Sequence, residues 1–439
     1  MPGGVDTITF FNKGLPVKTN RFNVAMLSLH SSPIGKVGTQ DTGGMSVYVR
    51  ELTRELGRRG HRIDIFTRQN CITPASVVCL EKNVRLIHVG TAASDGDSNL
   101  SLIHRIPECI AHIEKFRSRE GLDYDLIHSH YWLSGLLGQH IQPRWSVPHI
   151  TMFHTLGAVK NYAGKTESEP RVRIRTENEL VESCHRIVVA SERERRNLIR
   201  HYGAAAHKIG VVSCGVNLNR FHPVDKTAAR RKLGLKQNET ILLYVGRLAP
   251  LKGLNRLISA VKYLKHIRGL RLVIVGGDGP DAPSSIRLKE VVNASGIKDR
   301  VVFAGRVLQN DLPFYYSAAD LLAIPSHYES FGMVGLESLA CGTPVVATRV
   351  GAMDQILDEG KTGFIVDMAE PESLASRIAQ AFSIIASNGH TSQTIRKSAL
   401  PFNWSSIASG ILDEYAGLID FHRVDGIHRE VSCCGCCAD

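Results

Sequence analysis

The sequence predicts an α/β protein made of two parallel-sheet domains that face each other across a cleft. Three observations lead there. Apolar runs of strand length alternate with helical stretches from about residue 22 to residue 390, the pattern of strand–helix–strand units. The alternation breaks once, between Gly215 and Asn238, where Asn217, Asn219, His222-Pro223 and a short charged helix intervene. At 439 residues the chain is too long for one ordinary core, and each side of the break is large enough for its own. Ligands of open parallel sheets bind beyond the carboxyl ends of the strands, so the cleft between the domains is the expected site.

The first domain is assigned residues 1–214. It opens with the strand Phe22–Leu29 and a loop rich in Gly, Pro and Ser from His30 to Thr42. Gly43-Gly44 then lead into a helix from about Met45 to Arg59, which Gly60 ends, and Ile63–Phe66 begins the next strand. Val84–His88, Asp125–His128, His149–Phe153, Ile187–Ala190 and Ile209–Val212 complete the series. The second domain, residues 215–403, offers Ile241–Val245, Leu272–Val275, Val301–Ala304, Leu321–Ile324, Val345–Ala347 and Gly363–Val366. A helical pattern from Trp404 to Leu418, within a segment assigned 404–421, is expected to pack back onto the first domain. Residues 422–439 read as a loose tail.

An apolar fraction of 43% and a charged fraction of 22% belong to a soluble globular protein. No apolar run reaches bilayer length and the N-terminus lacks the form of a signal peptide, so a cytoplasmic location is expected. The formal charge of +11 favours anionic ligands. Between Arg171 and Arg200 the arginines are interleaved with Glu169, Glu177, Glu179, Glu182, Glu192 and Glu194. That mixture reads as solvated helix faces and argues against nucleic acid as a partner. Six of the ten cysteines are scattered and read as reduced core thiols; the other four form the cluster Cys433-Cys434-Gly435-Cys436-Cys437 in the tail.

Five motifs could carry chemistry. Glu329 to Glu337 follows an apolar strand, with Glu329 in the loop and Glu337 about a turn into the next helix. Two carboxylates so placed can bracket a polyhydroxylated ligand, while Gly332 admits close backbone approach. Gly246 to Gly253 follows Ile241–Val245 and puts Arg247 and Lys252 at a strand tip, which suits a diphosphate. Gly276-Gly277-Asp278-Gly279-Pro280 ends another strand but matches neither a Walker loop nor a dinucleotide fingerprint. Gly43-Gly44 sits at a helix N-terminus, where backbone N–H groups can face a phosphate. His154-Thr155 and His128-Ser129-His130-Tyr131-Trp132 also follow strands. His154 suits hydrogen bonding, and His128 and His130 suit a core or supporting role. No Gly-x-Ser-x-Gly elbow occurs.

Together GRLAPLKG and ESFGMVGLE, at their interval, resemble a retaining glycosyltransferase of the GT-B fold, family 4, over Asn23 to about Leu418. DTGGMSVYVRELTRELGRRGH, LIHSHYWLSG and HTLGAVKN are similar to the branch holding the inositol-phosphate N-acetylglucosaminyltransferase of mycothiol synthesis and the sucrose-phosphate-synthase-like enzymes. The resemblance implies two Rossmann-like domains, a nucleotide-sugar donor, UDP-linked, and a small hydroxylated acceptor. It implies catalytic roles for Arg247, Lys252, Glu329 and His154, with no metal and no cofactor. The donor would be bound by Gly43, Gly44, Gly277, Arg306, Val307, Phe331, Gly332, Met333 and Glu337. Tyr131, Thr155 and Arg173 match residues that hold an acceptor phosphate in the mycothiol enzyme. The lysine of that set has no counterpart beyond Asn99, in the loop near Gly96 to Leu100. The basic balance leaves open a membrane-surface enzyme acting on a lipid-linked acceptor, with peripheral membrane contact, and a homodimer is left open too.

Overall fold

The structure, a computed structural model, describes residues 21–34, 43–68, 77–90, 99–164, 168–277, 279, 281–367, 370–387 and 391–434. Cys71, Asp278, Pro280 and residues 435–437 of the cysteine cluster lie outside the described residues, as do the loop residues Gly96, Asp97 and Ser98.

Among the described residues, fourteen strands form two sheets. The first holds β1 (Asn23–Leu27), β2 (Arg62–Arg68), β3 (Val77–Glu81), β4 (Val84–Val89), β5 (Leu126–His130), β6 (His149–Met152), β7 (Arg186–Val189) and β8 (Ile209–Val211). Its spatial order is β3-β4-β2-β1-β5-β6-β7-β8. The second holds β9 (Thr240–Val245), β10 (Leu270–Val275), β11 (Val301–Gly305), β12 (Leu321–Ile324), β13 (Val345–Thr348) and β14 (Gly363–Val366), in the order β11-β10-β9-β12-β13-β14. All pairings are parallel except β3 with β4. Helices cover both faces, so central strands such as β5, β6, β12 and β13 are buried along their whole length.

β3 is an addition to the expected series. Its residues alternate between exposed and half-buried, as suits an edge strand with one wet face, and it carries the exposed Cys79.

The last helix, Trp404–Cys434, packs on the Gly44–Arg58 helix beside the first sheet. Trp404 and Tyr415 are buried there, Tyr415 donating or accepting at His128 Nδ1 over 2.7 Å, and Arg186 pairs with Glu414 at 2.5 Å. This helix continues through Cys434, where a loose tail from residue 422 was expected. No proline occurs after Trp404 to stop it, and Gly435 follows its last residue.

Candidate active site

The second sheet reverses its strand order at β9, which lies between β10 and β12. Such a switch point places a crevice at the carboxyl edge, and the loops leaving β9 and β12 line it side by side. Between them Lys252 Nζ donates to Glu329 Oε1 at 2.6 Å, and Ser326 Oγ donates to the same oxygen at 2.9 Å. The two loops touch along their backbones. His327 N–H donates to the Leu251 carbonyl at 2.8 Å, and a Cβ on Gly253 would sit 2.0 Å from the Pro325 oxygen. Gly253 also holds φ +67°, so both its turn and its contact need glycine. Arg247 is exposed beside this pair. Its charge and that of Glu329 act in opposite senses on the buried Tyr244 hydroxyl, which bonds the Arg247 carbonyl at 2.8 Å.

The neighbouring strand ends are equally tight. Gly276 N–H donates to the Gly305 carbonyl at 2.8 Å, and a Cβ on Gly276 would meet the Gly246 oxygen at 1.9 Å. Gly277 packs under the Leu248 side chain. Arg306 is exposed and Val307 half-buried where the chain leaves β11.

On the other side of the crevice, Gly332 (φ +97°) turns the chain into the Met333–Ala340 helix, whose first N–H groups point back into the gap. Phe331 is buried, and its carbonyl accepts the Ala352 N–H at 2.9 Å. Glu337 is also buried and accepts from Tyr316 Oη at 2.7 Å. Burial raises its carboxyl to about 7, against the opposing pull of the Tyr316 bond and of Arg220.

The first domain closes the crevice with its own helix start. A Cβ on Gly44 would lie 3.5 Å from Met333 Sδ, so the N-termini of the Gly44–Arg58 and Met333–Ala340 helices face each other between the domains. Gly43 is the N-cap residue of the former. Further contacts cross the gap, Arg193 with Asp354 at 2.7 Å and Arg50 with Gln309 at 2.5 Å.

Beside Gly44, two non-glycine residues hold left-handed backbone angles at strand ends: Tyr131 (φ 75°) after β5 and His154 (φ 59°) after β6. Such angles cost energy and persist where the surroundings overdetermine them. Tyr131 N–H donates to the Met152 carbonyl at 2.9 Å, and His154 Nε2 hydrogen-bonds His130 Nδ1 at 2.9 Å. Burial lowers the imidazole of His154 to about 3, so it is neutral at physiological pH. His128 and His130 lie behind it with their rings tilted and are held neutral by burial too.

Tyr131, Thr155 and Arg173 converge. Arg173 Nη1 donates to Tyr131 Oη at 3.1 Å and to Glu169 Oε2 at 2.8 Å. Its Nη2 donates to the Thr155 carbonyl and Oγ1, at 2.8 and 2.9 Å, and its Nε to Glu177 Oε1 at 2.7 Å. Here the reading of this segment as solvated helix faces is corrected at three residues. Arg173, Glu177 and Glu194 are buried, while Arg171, Arg175, Glu179 and Glu182 are exposed as expected. Glu177 also accepts the Gly157 N–H at 2.9 Å and the Tyr202 hydroxyl, which offsets its desolvation. Asn99 is the first residue of the Asn99–His104 helix, and its side chain lies outside what the structure describes.

Lys252, Glu329, Gly253, Gly332, Met333 and Gly44 thus meet at one crevice, with His154 and the Arg173 cluster on its first-domain wall. Ser326, Tyr316, Tyr244 and Glu169 also belong there. No motif pointed to them: Ser326, Tyr244 and Glu169 act by holding residues three or four positions away, and Tyr316 by holding Glu337 21 positions on.

Residues 42–220 match the family described as Glycosyltransferase Family 4, and residues 225–397 match Glycosyl transferases group 1. The D-inositol 3-phosphate glycosyltransferase of Xylanimonas cellulosilytica is 36% identical over 405 residues, covering 90% of this chain and 96% of the relative. The chain is a family 4 glycosyltransferase. Its GT-B architecture is that of sucrose-phosphate synthase from Thermosynechococcus elongatus (TM-score 0.83, 30% identity, 91% of this chain and 100% of that one). The HepE protein of Anabaena, in complex with UDP and glucose, shares the fold alone at 18% identity (TM-score 0.70, 91% of this chain and 100% of that one). In this glycosyltransferase no helix among the described residues is long and apolar enough to cross a membrane.

Proposed function

We propose that the enzyme transfers a hexosyl group, with retention, from a UDP-sugar to a small hydroxylated acceptor. The observation that carries this is the Lys252–Glu329 pair at 2.6 Å in a loop that runs on to Met333, where Gly44 of the first domain approaches. The donor diphosphate lies between Arg247 and Lys252 on one side and the Gly44 N–H on the other. These groups act where negative charge grows as the anomeric C–O bond breaks. Glu329 Oε1 is occupied by Lys252 and Ser326, and Oε2 takes a hydroxyl of the donor sugar. The neutral His154 shares a hydrogen bond with that sugar, and Phe331, Gly332 and Met333 meet it through their backbone. Glu337 binds the ribose, with Gly277, Arg306 and Val307 around the base. The acceptor attacks from the face the diphosphate leaves, and a departing phosphate oxygen takes its proton. Built-in cations do the work a metal does elsewhere, so catalysis proceeds without one. Under this reading the enzyme works where nucleotide sugars are kept, in the cytoplasm.

Tyr131, Thr155 and Arg173 suit an acceptor with an anionic group, such as the phosphate in the name of the D-inositol 3-phosphate relative. All five N–H groups of Arg173 already have protein partners, and Lys160 also pairs with Glu169. A phosphorylated acceptor therefore reaches Arg173 by displacing the Glu169 carboxylate. The test is UDP release from a panel of UDP-sugars, with inositol phosphate or unphosphorylated polyols as acceptors, with and without a chelator. Acceptor-dependent UDP release undiminished by chelator is expected. Release abolished by chelator, or from no UDP-sugar at all, would refute the reading.

Glu337 adds a pH signature. Only its ionised form accepts charge-assisted bonds from both ribose hydroxyls, so UDP-sugar affinity should rise as pH climbs through about 7. The sign for folding is opposite: a carboxyl raised in the native state contributes stability at low pH that is lost as pH rises from its ordinary value through about 7. Titration of a UDP-sugar at pH 6 and pH 8 checks the first point. Glu337→Gln should flatten the dependence, and an unchanged slope would remove Glu337 from the ribose site.

A further inference from the structure

Tyr328 belongs to the second domain by sequence and to the first by packing. It precedes Glu329 in the loop after β12. Its ring packs on an apolar cluster whose other members all come from the first domain, including Tyr131, Trp132, Phe153, Leu156 and Leu180. Its hydroxyl accepts the Leu156 N–H at 3.2 Å. Leu156 follows Thr155 and is the N-cap residue of the Gly157–Ala163 helix, which has no side-chain cap of its own. Burial, and then the nearby Glu194, keep the phenol protonated, while the Leu156 bond pulls the other way. At the same level Ser191 Oγ meets the Ser330 carbonyl at 3.5 Å.

The loop that presents Glu329 to Lys252 is therefore seated in the first domain by its preceding residue. Parting the domains pulls an aromatic ring out of an apolar slot and strips a buried N–H of its acceptor, both unfavourable. We infer that Tyr328 is a positioning residue for sugar transfer: it locks the Glu329 loop against the loop of His154 and Thr155, so that donor and acceptor sides align only in the closed enzyme. This rests on reading the cleft as the transfer site. Its consequence is selectivity between acceptor and water, because an unlatched cleft admits solvent to the donor.

The experiment compares full-length Tyr328→Phe and Tyr328→Ala with the wild type. Tyr328→Phe keeps the ring and loses the hydroxyl, so its solution scattering should match the wild type and kcat should fall by less than about tenfold. Tyr328→Ala should show a larger radius of gyration and a transfer kcat lower by on the order of 10²-fold. Its Kd for UDP should stay within about threefold, and a larger share of donor should be hydrolysed. Tyr328→Ala with wild-type scattering and wild-type transfer overturns the inference. So does loss of UDP binding in step with loss of transfer in both variants, which marks a misfolded loop. Should the wild type turn over no UDP-sugar, the transfer reading falls separately, and scattering of the unliganded proteins still decides whether Tyr328 holds the domains together.

Discussion

Replacing Lys252 by alanine should lower kcat by about 10²–10³, some 3–4 kcal/mol of transition-state stabilisation, while leaving the fold intact. The turn around Lys252 is set by its backbone: Gly253 holds the left-handed angle, and His327 N–H binds the Leu251 carbonyl, so neither depends on the ammonium. The Lys252 side chain is 23% exposed, and its removal opens no core cavity. What disappears is the charge between Glu329 and the departing diphosphate. Glu329, 11% exposed, keeps only its Ser326 bond and turns from a neutralised group into one that repels the leaving group. Lys252→Arg should recover part of the rate, since it restores the charge with a different fork. Steady-state rates beside thermal melts check this. A melt unchanged from wild type with kcat lowered less than threefold would remove Lys252 from the reaction.

Arg173→Ala should act on stability first, by about 3–5 kcal/mol. The pair it breaks is buried on both sides, Arg173 at 1% and Glu177 at 0% exposure. Alanine leaves the Glu177 carboxylate facing only the Gly157 N–H and the Tyr202 hydroxyl, and leaves Glu169 with Lys160. The penalty comes from stranding a charge, so removing both charges should recover much of it: Arg173→Met with Glu177→Gln should be more stable than Arg173→Met alone. Urea denaturation of the singles and the double provides the comparison. A single-variant loss below about 1 kcal/mol would mean that solvent reaches Glu177 despite its burial.

Elements with strong local signals were legible in the sequence. β9, β10, β12 and β14 sit within two residues of their expected bounds, because a run of Val, Leu and Ile ending in a turn needs no partner to be recognised. β3 escaped because its alternation is that of a half-wet edge, easily read as loop. Gly332 reads as a point of close backbone approach and Gly246–Gly253 as a cation-bearing strand tip. Why Gly253 and Gly332 must be glycine appears only when Pro325 and Met353 press against them. The Arg171–Arg200 segment misled at Arg173, Glu177 and Glu194 because charge along a helix says nothing of which face is covered. Glu177 and Arg173 are hidden by the Gly157–Ala163 helix and by Tyr202, which a linear pattern does not show.

The chain alone determined two domains, their strand-tip loops and the chemical types presented there, since apolar run length and glycine turns are local properties. Tertiary structure decided which of them meet. Lys252 and Glu329 are 77 residues apart, and Leu156 and Tyr328 are 172 apart; their contacts exist because strand order reverses at β9 and the domains close. Long-range pairing follows from how sheets and domains assemble, which no single segment encodes.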